Sequence, residues 1–182
     1  MFMSQDNTQH QTELMTTTIR PWKQEDLDNL VLYANNINVW NNLRNYFPHP
    51  YTKEHGLEWL EKVVDAPLPT INFAIEADGK VVGGIGLLLN GDVYIRSAEI
   101  GYWIGEPFWG KGVATEALRQ ITEYAFSTFD LVRLYAEVFE NNKASMRVLE
   151  KNGFYLEGVG RQSVFKNEML MDDSIWVRLR SW

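Results

Sequence analysis

The chain has 182 residues, 45% of them hydrophobic, with 24 acidic against 17 basic side chains and a formal net charge of −7. That length buries a core without disulfides or metal, and the acidic balance disfavours sequence-independent binding to nucleic acid while mildly favouring cationic ligands. Cysteine is absent, which excludes a disulfide scaffold, a thiolate metal site and a cysteine acyl-enzyme.

The opening MFMSQDNTQHQTEL has neither a basic start nor a continuous apolar run, so no secretory signal is expected. The aliphatic stretch Ile85 to Leu89 falls far short of the roughly 20 residues that cross a bilayer, and a cytoplasmic protein without membrane contact is expected. Residues 1–15 are polar and aperiodic and are predicted to be a disordered tail, leaving 16–182 as a single domain. TTTIRPW is β-prone, and Leu27, Leu30, Val31 and Ala34 then recur on one helical face. After the Asn-rich, aromatic NNINVWNNLRNYFPHPY, a second helix is predicted over TKEHGLEWLEKVV, with Thr52 as N-cap and Pro67 and Pro69 beyond its end.

Asp78-Gly79 and Asn90-Gly91 are hairpin signals and divide three antiparallel strands, predicted at Thr70 to Ala77, Lys80 to Leu89 and Tyr94 to Ile104. Val113, Ala117, Leu118, Ile121 and Ala125 form a helical stripe; LVRLYAEVF alternates as a strand; and NNKASMRVLEKNG is a short helix capped by Asn142 and followed by Gly153. Two strands, near Phe154 to Val164 and Glu168 to Arg180, finish the chain. The order is that of a mixed α/β (α+β) fold with seven strands and about four helices.

The stretch GEPFWGKGVATEAL satisfies the phosphate-loop pattern G-x-x-x-x-G-K-[ST] at seven of eight positions and fails at Gly112, where a magnesium-binding hydroxyl is required. Nucleotide hydrolysis is therefore rejected. Glycines at a helix N-terminus still present free amides and the positive end of the helix dipole to an anion, and such amides hold a pyrophosphate without metal. A glycine pair alone more often serves tight packing.

AEIGYWIGEPFWGKGVATEAL and NNKASMRVLEKNGF together resemble the GNAT superfamily of acyl-CoA N-acyltransferases, especially the branch that acetylates ribosomal-protein N-termini. The resemblance covers nearly the whole chain after Thr17 and implies a mostly antiparallel, splayed seven-stranded sheet that receives acetyl-CoA between two parting strands. Its loop pattern [QR]-x-x-G-x-[GA] is met at Gly110 and Gly112, with Pro107 in place of Gln or Arg. By this resemblance Trp109, Gly110, Lys111, Gly112, Val113, Ala114 and Thr115 hold the pyrophosphate, Asn142 touches the cofactor, and Tyr102, Trp103 and Ile104 offer backbone groups to the pantetheine arm, with a backbone N–H near Trp103 or Ile104 expected to meet the oxyanion.

Acetyl transfer needs a neutral amine, a stabilised oxyanion and a donor for the departing thiolate. Glu99 corresponds to the general base of some family members, and it reads equally as a solvent-facing strand residue. Ser145 matches the branch's N-x-x-S element as donor to the CoA sulfur, because Leu149 stands where other members carry a tyrosine; Asn and Ser at a helix start are also ordinary caps. Trp40, Arg44, Tyr46, Phe47 and Tyr51 are expected to form the acceptor wall, with His49 a further contact, and His10 and His55 lack metal-ligand spacing. The resemblance implies direct attack by the amine, without metal, on acetyl-CoA. The acceptor it implies is a protein N-terminal α-amine; a polyamine or aminoglycoside, or a non-catalytic acyl-CoA-binding module, are the alternatives, with the chain as monomer or homodimer.

Overall fold

The computed structural model describes residues 15–181; the predicted tail, Met15 excepted, lies outside them, as does His10. The strands are β1 (Thr17–Pro21), β2 (Asn72–Ala77), β3 (Lys80–Leu89), β4 (Ser97–Ile104), β5 (Arg133–Phe139), β6 (Tyr155–Lys166) and β7 (Met169–Leu179). The helices are α1 (Leu27–Ala34), α2 (Ile37–Trp40), α3 (Lys53–Val63), α4 (Val113–Thr128) and α5 (Lys143–Lys151). The strands form one sheet in the order β1-β2-β3-β4-β5-β7-β6. Its β4–β5 pair is parallel and the other pairs are antiparallel.

Local chemistry explains most boundaries. Asp78 and Gly79 both take positive φ, 47° and 77°, the turn that matches the twist of a two-residue hairpin between β2 and β3. Thr52 caps α3 by accepting from the His55 amide, and the His55 ring returns the bond to the Thr52 amide.

One predicted boundary differs. β4 begins at Ser97 rather than Tyr94, because the Asn90 amide donates to the Ser97 carbonyl and closes the ladder there, leaving Asp92–Tyr94 as a single 3-10 turn. Among the described residues there are five α-helices, in keeping with the about four expected; the short additional one arises because the Asn36 side chain accepts from the amides of Asn38 and Val39 and starts α2 inside the Asn-rich, aromatic segment.

The parting of the sheet follows from its registers. β4 pairs with β5 only from Ser97↔Arg133 to Glu99↔Tyr135, although β4 runs on to Ile104 and β5 to Phe139. β3 holds β4 along its whole length and β7 does the same for β5, so the two halves diverge beyond Glu99 without fraying.

Alternation sends Ala98, Ile100 and Ile104 into a core with Val113, Ala117, Leu118 and Ile121 of α4. Trp103 packs on the opposite face, against a second core that includes Trp22, Leu30, Tyr51 and Leu60. Fully burying each such Leu or Ile contributes about 1.5–3 kcal/mol, which makes β4 a rigid wall between two cores.

Candidate active site

The turn before α4 leaves its amides uncommitted. Gly112 takes φ 81° at the N-cap position and has no side chain to cap with, and the first helical bond runs from the Glu116 amide to the Gly112 carbonyl. The amides from Gly110 to Thr115 therefore find no acceptor among the described residues, at the positive end of a 16-residue helix. Trp109 has a different role: its indole donates to the Ile104 carbonyl at 2.7 Å and ties the turn to the end of β4. The Lys111 ammonium lies 5.7 Å from the centre of the Phe108 ring.

The same ladder decides which β4 backbone groups face the parting. Asn90–Ser97 and Val82–Gly105 are hydrogen-bonded pairs, so the peptide groups of Glu99, Gly101 and Trp103 turn toward β3 and those of Ile100, Tyr102 and Ile104 turn toward β5. Trp103 is thereby corrected as a backbone contact for a ligand in the parting: its peptide groups pair with Gly84 and its ring packs against Phe47, centroids 5.8 Å apart. The Ile104 carbonyl is already taken by Trp109. The Ile100 carbonyl, not foreseen, and both backbone groups of Tyr102 are aimed into the opening, while the Ile100 amide belongs to the last β4–β5 rung, beside Tyr135.

Glu99 sits at the vertex, the last β4 residue paired with β5, and its side chain is 15% exposed. Arg44 Nη2 donates to Glu99 Oε1 at 2.5 Å and to Glu137 Oε2 at 2.7 Å. Burial opposes the Arg44 charge, but Glu99 and Glu137 more than offset it and raise its pKa. Beside them Asp173 Oδ1 is enclosed with no hydrogen-bond partner among the described residues, and burial, then the Glu137 charge, push that carboxyl's pKa up. Arg44, Asn45, Glu137, Lys166 and Asp173 line a cleft of about 500 Å³ on this face.

Lys166 closes one wall of the cleft. It is 2% exposed, its ammonium donates to Leu43 O at 2.8 Å and Asn45 Oδ1 at 2.9 Å, and it lies 3.4 Å from the centre of the Trp40 ring. Burial lowers its pKa. The β6–β7 hairpin is thus tied to the segment between α2 and α3.

Of the predicted acceptor wall, only Arg44 lines the cleft. Trp40 supports it from behind, its indole donating to Phe47 O at 2.9 Å and its ring 5.6 Å from that of His49. Phe47 packs between Tyr51 and Trp103, and Tyr46 is exposed. Tyr51 is corrected to a core residue: it is 5% exposed, and burial pushes its phenol up to about 12. Glu137, Lys166 and Asp173 were missed. Alternation along β5 puts Glu137 on a face with Tyr135, but only the parallel register sets Tyr135 beside Glu99.

On the other face, Asn142 caps α5 by accepting from the Ser145 amide at 3.1 Å. Ser145 Oγ lies 2.7 Å from the Tyr102 phenol oxygen, and Leu149 is fully buried. Glu99 and Ser145 therefore flank β4 from opposite sides, with the parting between them.

Relatives are consistent with this arrangement. The chain is 30% identical to the spermidine N(1)-acetyltransferase of Escherichia coli K12 over 149 residues, 82% of this chain and 78% of that one. It is 32% identical over 84 residues to the ribosomal-protein-serine acetyltransferase of the same strain, 46% of this chain and 47% of that one. The match to YjcK of Bacillus subtilis, 37% identical over 54% of this chain, spans 55% of that relative's length. Mycobacterium smegmatis RimJ in complex with CoA-disulfide has the same fold, with TM-score 0.77 and 22% identity over 90% of this chain and 81% of that one. The model of the acetyltransferase (GNAT) domain matches residues 16–155, and the chain belongs to the GNAT acetyltransferase family.

Proposed function

We propose that this chain transfers the acetyl group of acetyl-CoA to a primary amine by direct attack. The observation that carries the reading is the run of uncommitted amides from Gly110 to Thr115 at the mouth of a sheet that parts beyond Glu99. Hydrogen bonds to a charged partner contribute about 1.5–3 kcal/mol each, so a few of these amides hold a pyrophosphate without metal. The Ile100 carbonyl and the peptide groups of Tyr102 pair with the pantetheine arm. When bound, acetyl-CoA supplies a thioester carbonyl for attack.

Residues of this chain do the rest. Glu99 accepts the proton that the acceptor nitrogen loses, directly or through water. Ser145 Oγ–H donates to the sulfur as the carbon–sulfur bond breaks and the electron pair stays on sulfur. A thiol titrates near pH 8.5, far below an aliphatic hydroxyl, so Ser145 keeps its proton and acts as a hydrogen-bond donor. Arg44 occupies the carboxylates that a cationic acceptor would meet, and the acceptor exchanges with it.

A protein N-terminal α-amine is the acceptor favoured by the branch resemblance and by the ribosomal-protein-serine acetyltransferase among the relatives. A specific observation favours a second reading, a polyamine: Glu137 and Asp173 place two carboxylates beyond Glu99, one with an unpartnered oxygen, and one relative is a spermidine acetyltransferase. Release of CoA thiol from acetyl-CoA, followed across N-terminal peptides, spermidine and aminoglycosides, separates them. Glu99→Gln is expected to lower kcat and shift its pH profile. Tight acetyl-CoA binding without turnover of any amine would replace the transferase by a non-catalytic acyl-CoA-binding module.

A further inference from the structure

Ser145 is held more closely than a helix cap requires. Its amide donates to Asn142 Oδ1 at 3.1 Å, and its Oγ lies 2.7 Å from the Tyr102 phenol oxygen, which also lies 3.5 Å from the Ser145 carbonyl. Either oxygen can be the donor of the 2.7 Å bond, the carbonyl at 3.5 Å being too distant to compete for the phenol hydrogen; the arrangement that leaves a hydrogen free on Ser145 is the one in which Tyr102 donates. The Ser145 hydroxyl hydrogen is then the one polar group of the residue left uncommitted. Burial pushes the Tyr102 phenol up to about 12, so it stays a neutral donor throughout the pH range in which amines are nucleophilic.

The side chain that does this comes from the strand, not the helix. Tyr102 lies on the α4 and α5 face of β4, and its own peptide groups face the parting. One residue therefore joins the backbone that borders the opening to the Ser145 hydroxyl. Without the phenol, a serine in the first turn of a helix has three χ1 wells and can turn its hydroxyl back to a carbonyl of the preceding turn.

We propose that Tyr102 is a positioning residue for acetyl transfer, donating to Ser145 Oγ so that the serine hydroxyl hydrogen is presented to the departing sulfur. The inference rests on the acetyl-transfer reading above. No covalent step is assigned to Tyr102; the phenol neither gains nor loses its proton, and the thiolate takes its proton from water after it leaves.

The test is a double-mutant cycle on kcat with Tyr102→Phe, Ser145→Ala and the pair, using acetyl-CoA and whichever amine of the panel the wild-type chain acetylates. Each single variant is expected to lower kcat about tenfold with the KM for acetyl-CoA unchanged, and the double variant to fall no further than Ser145→Ala alone. A double variant about a hundredfold down, the product of the two effects, overturns the inference, as does a Tyr102→Phe variant with wild-type kcat. Those outcomes leave the acetyl-transfer reading standing. A wild-type chain that binds acetyl-CoA and acetylates no amine removes that reading, and the role of Tyr102 with it.

Discussion

Replacing Lys166 with methionine tests whether the buried ammonium holds the acceptor side of the cleft. The variant loses two charge-assisted bonds of about 1.5–3 kcal/mol each and a ring contact of about 0.5–2 kcal/mol, and is relieved of an ammonium desolvation cost of several kcal/mol. Methionine keeps most of the apolar packing, but the Leu43 carbonyl is left without a donor, at about 1–3 kcal/mol, whereas exposed Asn45 regains water. A net loss of about 1–3 kcal/mol follows, read as a lower urea midpoint with an unchanged slope. Because the lost contacts anchor Leu43 and Asn45 on either side of Arg44, the KM for the amine acceptor should rise, at least about fivefold and at most about 150-fold if the whole loss falls on binding, while that for acetyl-CoA stays put. An acceptor KM that does not move, alongside the loss of stability, would show that Lys166 fastens a hairpin and not a binding wall. An unchanged midpoint would refute the energy balance itself.

Three further outcomes follow from local geometry. Gly112→Ala puts a Cβ on a residue at φ 81°, a strain of about 1–2 kcal/mol in the left-handed region, and calorimetry should show weaker acetyl-CoA binding together with a lower thermal midpoint. Burial acts to raise the Asp26 pKa, but the Arg20 guanidinium at 2.8 Å and the Lys23 amide at 2.8 Å outweigh it, so the carboxyl titrates below its unfolded value of about 3.9. Its contribution is complete above that value and is lost as pH falls through the folded pKa; the stability gap between wild type and Asp26→Asn should be wide at pH 7 and close below about pH 4. Thr52→Ala removes the α3 cap and should lower unfolding free energy by about 1 kcal/mol with kinetics untouched.

What was legible in the sequence is what depends on neighbours along the chain. The Asp78-Gly79 turn, the Thr52 and Asn142 caps and the start of α4 at Val113 are each set by residues within a few positions. The cleft is not of that kind. Arg44, Glu99, Glu137, Lys166 and Asp173 come from one loop and four strands, and their meeting depends on the β4–β5 and β5–β7 registers, which no local pattern encodes. The aromatic loop misled for a related reason: Tyr51 and Phe47 look like a binding surface by composition, but α1 and α3 leave a space between them that those rings fill.

β4 shows how a single strand separates two chemically different faces. Its even side chains belong to the side with α4 and α5, where the uncommitted amides and Ser145 lie, and its opening-facing peptide groups lie in the plane of the sheet between the two sides. Its odd side chains belong to the side with Arg44 and the carboxylates, and Glu99 is the last of them before β5 departs. A period of two along one strand, cut off by the loss of its parallel neighbour, thus sets Glu99 on one side of the opening and the Tyr102 phenol, with Ser145, on the other. One register slip would exchange the two faces, moving Glu99 into the apolar core and Ile100 into the carboxylate cleft. The continuous β3–β4 ladder, from Leu89↔Ala98 to Gly83↔Ile104, therefore does more than hold the sheet together: it fixes which side of the opening each chemical group occupies.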